Sequence, residues 1–419
     1  MMASEMKESF RALRHRNFRL FYFGHGMSLV GTWMQRTATI WLVYRLTGSP
    51  EILGNVDFTG QIAGVVLIPF AGVFLDRWNR YRVILGTQLL SMIQALALAL
   101  LVFTDTVAVW HIIVLNAALS MINSFDMPAR QAFISQIVED KKDLANAIAL
   151  NSAMFNGARI IGPSIAGLAI AVLGEGLCYL FNGLSYIAII GALLAMRLTA
   201  SQKPAATKGN ILGGLKEGLV YTYKTLPIRM VLLLLAFFGL LGFPIMPLMP
   251  LFAGEVLGGG PQTMGWLLAC FGLGALVGTI FLASRKTVVG IEKVIAVNSA
   301  VFASGLMVFA LSKTLWVSLI IIFLMGFGLI AQMASTNTII QTLVDEDKRG
   351  RVMSLYILSF SGIAPIGSLL AGYTAGMIGT SYTFLIAGLL AMLGSAAFTY
   401  NLPAWRLAVQ PIYGKRGLI

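Results

Sequence analysis

Five ionisable side chains interrupt stretches of this chain that are otherwise long and apolar: His25, Arg36, Asp57, Asp126 and Arg159. A charge in such a setting is costly unless it is paired or wetted, so each is a candidate for carrying a proton or holding an anion. Arg36 and Asp57 fall on adjacent apolar stretches at similar depth, ~12 Å and ~9 Å from their outer ends at ~1.5 Å of rise per residue. A pair of that kind would serve as an anion site, a protonation switch or a structural tie. Asp57, a carboxylate in an apolar stretch, is the candidate proton carrier, and His25 is a second titratable group. Arg159 falls near the middle of its stretch and is the candidate for gripping an anionic or carbonyl-rich ligand. Asp126 and Arg130, four residues apart, share one helix face.

The elements that must position these groups are transmembrane helices. Of the 419 residues, 58% are hydrophobic and 11% charged, with a mean hydropathy of +0.82. Soluble domains carry about 25% charged residues, so the composition is that of a polytopic membrane protein. There is room for twelve spans of ~20 residues, read at roughly 18–45, 51–75, 82–104, 107–129, 145–173, 177–198, 226–257, 262–284, 290–311, 314–338, 351–378 and 381–403. With the N-terminus inside, the inner segments and the span ends that border them hold 26 of the 30 Lys and Arg residues. That asymmetry places both termini of a multi-pass protein in the cytoplasm. It also turns the net charge of +13 into a membrane address rather than a nucleic-acid footprint.

Two stretches about 205 residues apart share a pattern: Gly162 and Gly167 align with Gly367 and Gly372, each pair following a charged turn. Tandem halves in so apolar a chain indicate parallel repeats with substrate held between them. The expected organisation is a six-helix bundle over 1–198, a cytoplasmic linker over 199–225 and a second six-helix bundle over 226–419. The later part of the linker, 211–225, is suited to a short basic helix on the membrane surface. The two cysteines, Cys178 and Cys270, fall in different halves, so neither a disulfide framework nor a metal site is expected, and no cofactor is required. A phosphate-binding loop is missing from the sequence, which removes ATP-driven pumping. The three histidines, His15, His25 and His111, are scattered, against what a membrane-embedded enzyme would need.

The turn after the second span reads Gly72-Val-Phe-Leu-Asp76-Arg77-Trp-Asn79-Arg80-Tyr-Arg82. It resembles the signature loop of the major facilitator superfamily, Gly-x-x-x-Asp-Arg-x-Gly-Arg-Arg/Lys, with Asn79 in place of the second Gly. Asn is the next best residue for a left-handed turn, which is the conformation expected there. The loop is suited to latch the cytoplasmic ends of helices, with Gly72 for close approach, Asp76, Arg77 and Arg80 for ion pairing, and Asp126 and Arg130 facing them. The fifth span carries Gly162-Pro163-Ser-Ile-Ala-Gly167. It resembles the Gly-Pro-x-x-Gly-Gly element of the superfamily's exporters, where Gly162, Pro163 and Gly167 would form a hinge. The segments Trp41-Leu-Val-Tyr-Arg-Leu-Thr-Gly-Ser, Phe125-Asp126-Met-Pro128-Ala-Arg130-Gln131-Ala and Ala145-Asn-Ala-Ile-Ala-Leu-Asn151 resemble the branch holding the enterobactin exporter and macrolide-efflux proteins.

The resemblance implies an all-α fold of twelve helices in two six-helix bundles related by a pseudo-two-fold axis. It also implies that spans one, four, seven and ten line a central cavity. Besides Arg36 and Arg159, that gives Trp33, Gln35, Asn123, Phe237, Phe238, Gln332 and Asn337 as substrate-binding candidates. The implied function is secondary export of a siderophore-like or drug-like molecule by proton antiport, performed by a monomer. The alternatives are a lysophospholipid flippase, a solute importer and, from another class, a polytopic membrane enzyme.

Overall fold

The computed structural model describes residues 10–75, 78–197, 211–285, 287–346 and 348–415. Among them there are helices and turns and no strand. In the first half the long helices are α1 (Arg16–Thr47), α2 (Pro50–Leu75), α3 (Arg80–Phe103), α4 (Val109–Ile137), α5 (Leu144–Leu173) and α6 (Glu175–Leu194). The linker supplies α7 (Ile211–Lys224). The second half holds α8 (Leu226–Gly242), α9 (Pro261–Ala283), α10 (Ile291–Leu311), α11 (Leu315–Leu343), α12 (Arg349–Ile357), α13 (Ala364–Ile378), α14 (Thr380–Tyr400) and α15 (Leu402–Lys415). Ten segments of the described chain are long and apolar enough to cross a membrane, and α1 and α2, 32 and 26 residues long, stand at the first two of the twelve expected positions. Their lipid-ready faces are plain: Leu100, Ile320, Leu393 and Met377 are among the large apolar side chains left uncovered. In lipid such surface costs nothing, and every backbone group of a spanning helix is satisfied internally.

Prolines decide where the expected spans break. The seventh, read as continuous over 226–257, is helical only to Gly242 and then proceeds through short turns, including a wide π-turn at Phe252–Val256. Pro244, Pro247 and Pro250 each lack the N–H that an α-helix would need. The eleventh span is likewise split, by a π-turn at Leu358–Gly362 just before Pro365. Pro128 and Pro163, by contrast, lie inside the unbroken helices α4 and α5. The amphipathic α15 lies beyond the twelve spans that the hydropathy reading counted. Trp405 of α15 is buried and donates its indole N–H to the Pro227 carbonyl at 3.2 Å, and Arg406 meets Glu292 at 3.0 Å.

The chain divides into two compact units. The first comprises Met1–Leu46 with Thr59–Lys208, the second Thr47–Phe58 with Gly209–Ile419, so the boundary falls within α2. In the first unit Phe18, Phe21, Ile84, Phe133, Ile137, Tyr186 and Ile189 pack into one cluster at the end of the bundle where α1 begins. Asp143 closes that end by pairing with Arg11 at 2.9 Å and His15 at 3.0 Å. In the second unit α9 and α11 cross so closely that a Cβ at Gly274 or Gly326 would collide with the Phe323 or Phe271 carbonyl. Such backbone-to-backbone approach is the packing expected of helices that lack a hydrophobic drive to associate in lipid.

Candidate functional site

One tryptophan gathers two arginines and a phenylalanine in the first unit. The guanidinium of Arg36 lies 5.5 Å from the Trp33 ring centroid and that of Arg159 lies 5.8 Å from the same ring. Phe155 meets the ring edge-on at 5.9 Å. Helix geometry makes the group: Trp33 and Arg36 are three apart on α1, Phe155 and Arg159 four apart on α5, so each pair shares a face. Gly162 brings the two helices together, because a Cβ there would collide with Trp33 Cβ and stand 3.1 Å from the Val30 carbonyl. Arg36 is exposed, while Trp33 and Arg159 are half-buried. Weakly hydrated guanidiniums on an aromatic face suit a planar carboxylate, a carbonyl-rich ring or an aromatic group. Asn123 is exposed on α4 of the same unit.

Gln35, two residues from Trp33, turns the opposite way. It is 3% exposed, donates to Gln94 Oε1 of α3 at 2.9 Å and accepts from Asn182 Nδ2 of α6 at 2.7 Å. Tyr179 donates to Thr39 at 3.1 Å one turn on. This polar seam holds three helices together, so Gln35 is a bundle residue and leaves the set of ligand-facing candidates. Phe238 and Gln332 are buried as well, in the second unit. Phe238 is fully buried with its ring 5.6 Å from Phe302. Gln332 is fully buried on α11 beside Ser335 and Thr336. Phe237 is half-buried with its ring against Gly394, and Asn337 accepts from Gln341 at 3.0 Å.

The expected latch is described in part, since Asp76 and Arg77 lie outside the described residues. Gly72 is in α2 and Arg80 opens α3. Asn79 is not left-handed: its φ is −70° and ψ is 114°, and its side chain accepts the Arg82 N–H at 3.3 Å. It is the N-cap of α3, a role for which Asn is among the best residues. Asp126, expected to face the arginines of that turn, is 2% exposed and surrounded within its own bundle. Its Oδ1 accepts from Thr87 Oγ1 at 2.7 Å and Gln88 Nε2 at 2.8 Å, and its Oδ2 holds Arg130 at 2.5 Å. Arg130 continues to His25, its Nη1 2.7 Å from Nε2 and 2.9 Å from Nδ1, and the His25 ring lies 5.2 Å from Phe21. Arginine only donates, so whichever ring nitrogen accepts from it carries no proton. The four residues form one chain of carboxylate, guanidinium, imidazole and aromatic ring along α4 and α1.

Asp57 belongs with the second unit. Its Oδ2 accepts from Ser368 Oγ at 2.6 Å. The contact exists because Gly54 and Gly372 let α2 and α13 cross: a Cβ at Gly54 would stand 2.6 Å from the Ser368 carbonyl and 3.0 Å from Gly372 Cα. Gly367 and Gly372 are both buried, as are Gly162, Pro163 and Gly167 in the first half. Sequence reasoning missed Phe155, Ser368, Gln94 and Asn182. The last two carried a signal, as isolated amides in apolar spans.

Long apolar helices, charges held in polar seams and a cation-lined aromatic face define a membrane transport protein rather than an enzyme. A family model described as transmembrane secretion effector matches residues 7–412. The chain belongs to that family of major facilitator transporters. It is 24% identical over 376 residues to a staphyloferrin A transporter of Staphylococcus aureus, covering 88% of this chain and 92% of the relative. It is 22% identical to macrolide efflux protein A of Streptococcus pyogenes, with 90% and 95% covered. Among solved structures, the nucleoside transporter NupG superposes with a TM-score of 0.72 at 16% identity, covering 92% of this chain and 98% of that one. The last likeness is one of fold.

Proposed function

We propose that this protein is a secondary exporter that exchanges protons for a small siderophore-like or drug-like organic molecule by alternating access. The observation that carries the reading is the pair of arginines, Arg36 and Arg159, flanking the single Trp33 ring at 5.5 and 5.8 Å. That arrangement offers cationic charge and an aromatic face together, the recognition chemistry for an anionic, carbonyl-rich or aromatic solute. Export is supported by the family's description as secretion effectors, and the substrate class by relatives named for staphyloferrin A and macrolides. Asn123, Phe237 and Asn337 complete the proposed substrate contacts. Asp57, hydrogen-bonded to Ser368, and His25, at the end of the Asp126–Arg130 chain, are the proposed proton-coupling groups. Gly162, Pro163 and Gly167 are the proposed hinge, and the turn at 72–80 with Asp126 and Arg130 the proposed latch. The protein acts as a monomer in a bacterial-type inner membrane with both termini cytoplasmic, as the distribution of Lys and Arg supports.

The test is transport in proteoliposomes under an imposed pH gradient, with iron-free catecholate siderophores, macrolides and lysophospholipids as solutes. Solute flux that follows the gradient in the wild type and is lost in Asp57→Asn is expected. Flux indifferent to the gradient in both proteins would overturn proton coupling, and flux of lysophospholipid alone would move the protein to lipid translocation.

A further inference from the structure

At the junction of the linker and the eleventh span, α7 lies along the start of α12. Gly218 permits the approach, since a Cβ there would stand 3.1 Å from Arg351 Cβ. Glu217 pairs with Arg351 across the two helices. Tyr221 donates to Asp345 Oδ2 at 3.2 Å, and the Lys348 ammonium lies 4.7 Å from the Tyr221 ring centroid. Between these contacts runs an open cleft of about 420 Å³, lined by Glu217, Val220, Tyr221, Lys224, Lys348 and Arg351. Its rim carries three cations and one carboxylate, and that carboxylate is engaged by Arg351. The charge balance therefore favours an anion.

The surroundings say what kind of anion. Lys224 ends α7, and α8, a membrane-crossing helix, begins at Leu226. The cleft therefore opens at the level where membrane meets water. On the same helix Leu219, Val220 and Tyr223 are 52, 47 and 72% exposed, an apolar strip beside the cations. Arg229 adds a further charge at the membrane end, its guanidinium 5.1 Å from the Tyr223 ring centroid. A free phosphate would meet the lysines and leave that strip in water. A phospholipid satisfies both, with the headgroup phosphate against Lys224 and Lys348 and the acyl chains along Leu219 and Tyr223. Basic clusters on amphipathic helices at a membrane surface bind anionic lipid at about 1 kcal/mol per Lys or Arg, and the cleft is of headgroup size.

We infer that the cleft between α7 and α12 binds the headgroup of an anionic phospholipid, clamping the linker helix to the start of the eleventh span. This site lies on the second unit and does not depend on which solute the protein carries or on proton coupling.

The experiment uses the full chain in nanodiscs of phosphatidylethanolamine with and without phosphatidylglycerol, reading retained lipid by native mass spectrometry. Phosphatidylglycerol is expected to be retained by the wild type and by Lys224→Arg/Lys348→Arg. Retention should fall about fivefold for each lysine changed to Gln, following the per-residue energy above. Both lysines are at least partly exposed, so Lys224→Gln and Lys348→Gln should keep the wild-type melting temperature, which is checked in parallel. Should the double variant unfold, the single Lys224→Gln alone decides. Equal retention by the wild type and the Gln variants overturns the proposal. So does displacement of the lipid by equimolar glycerol 1-phosphate, which would make a free phosphate ester the ligand.

Discussion

Replacing Asp126 with Ala should be among the most damaging single changes in the first unit, and its cost can be worked from its neighbours. The carboxylate is 2% exposed and serves three partners: Thr87, Gln88 and Arg130. Its loss leaves the Arg130 guanidinium, with a side chain only 20% exposed, in contact with His25 alone and without its counter-ion. Breaking a buried pair from one side costs about 3–5 kcal/mol. At ~2–4 °C per kcal/mol for a domain of this size, that is a fall in Tm on the order of 10 °C. Removing the other partner should cost less: in Arg130→Ala the carboxylate keeps two neutral donors, whereas in Asp126→Ala the guanidinium keeps one neutral acceptor. The Asp126→Ala/Arg130→Ala double variant strands no charge and should lose less than the two single changes combined. Thermal unfolding of all four proteins in one detergent gives the cycle, and a coupling of at least about 2 kcal/mol is expected. Additivity within about 0.5 kcal/mol would refute the idea that these side chains act as one unit.

Two further outcomes separate the seam from the ligand face. Gln35→Leu leaves Gln94 Oε1 and Asn182 Nδ2 without the partner they share and should lower stability by about 1–3 kcal/mol, while the KM for transport stays within about twofold. Trp33→Ala removes the ring that both arginines flank, and at about 0.5–1 kcal/mol per cation–π contact should raise KM roughly fivefold to thirtyfold; transport assays and melting curves on both variants read the difference. At Asn79, Ala should cost about 1 kcal/mol and Gly only a few tenths. A gain in melting temperature with Gly would mean that the turn wants a left-handed residue after all.

The class of protein and its helices were readable because composition and hydropathy are summed over long stretches, where single residues matter little. The Asp126–Arg130 pair was readable too, since a spacing of four determines a shared face. Which way a given polar residue on α1 points was not. Trp33 and Gln35 are two positions apart, about 200° around the helix, and α1 is polar on both sides, so no apolar stripe marks the interior. The breaks at 243–256 and 358–362 needed the prolines to be read as backbone donors lost rather than as mild bends. Asn79 was misjudged because asparagine serves two different local geometries, a left-handed turn and a helix cap, and the flanking sequence suits both. The helix α15 has too few apolar residues for a span, and only its docked face, through Trp405, shows why it folds.

The polar seam along α1 also bears on how the chain enters the membrane. A 32-residue helix that carries Asn17, His25, Gln35 and Arg36 is poorly suited to remain in lipid by itself. The groups that satisfy it come much later during synthesis: Asn182, which donates to Gln35, follows it by 147 residues. At ~5–20 residues per second the ribosome needs on the order of ten seconds to make that stretch. For that interval α1 has to be sheltered at the insertion machinery or held among its own early neighbours, and it becomes a stable membrane helix only when α6 arrives.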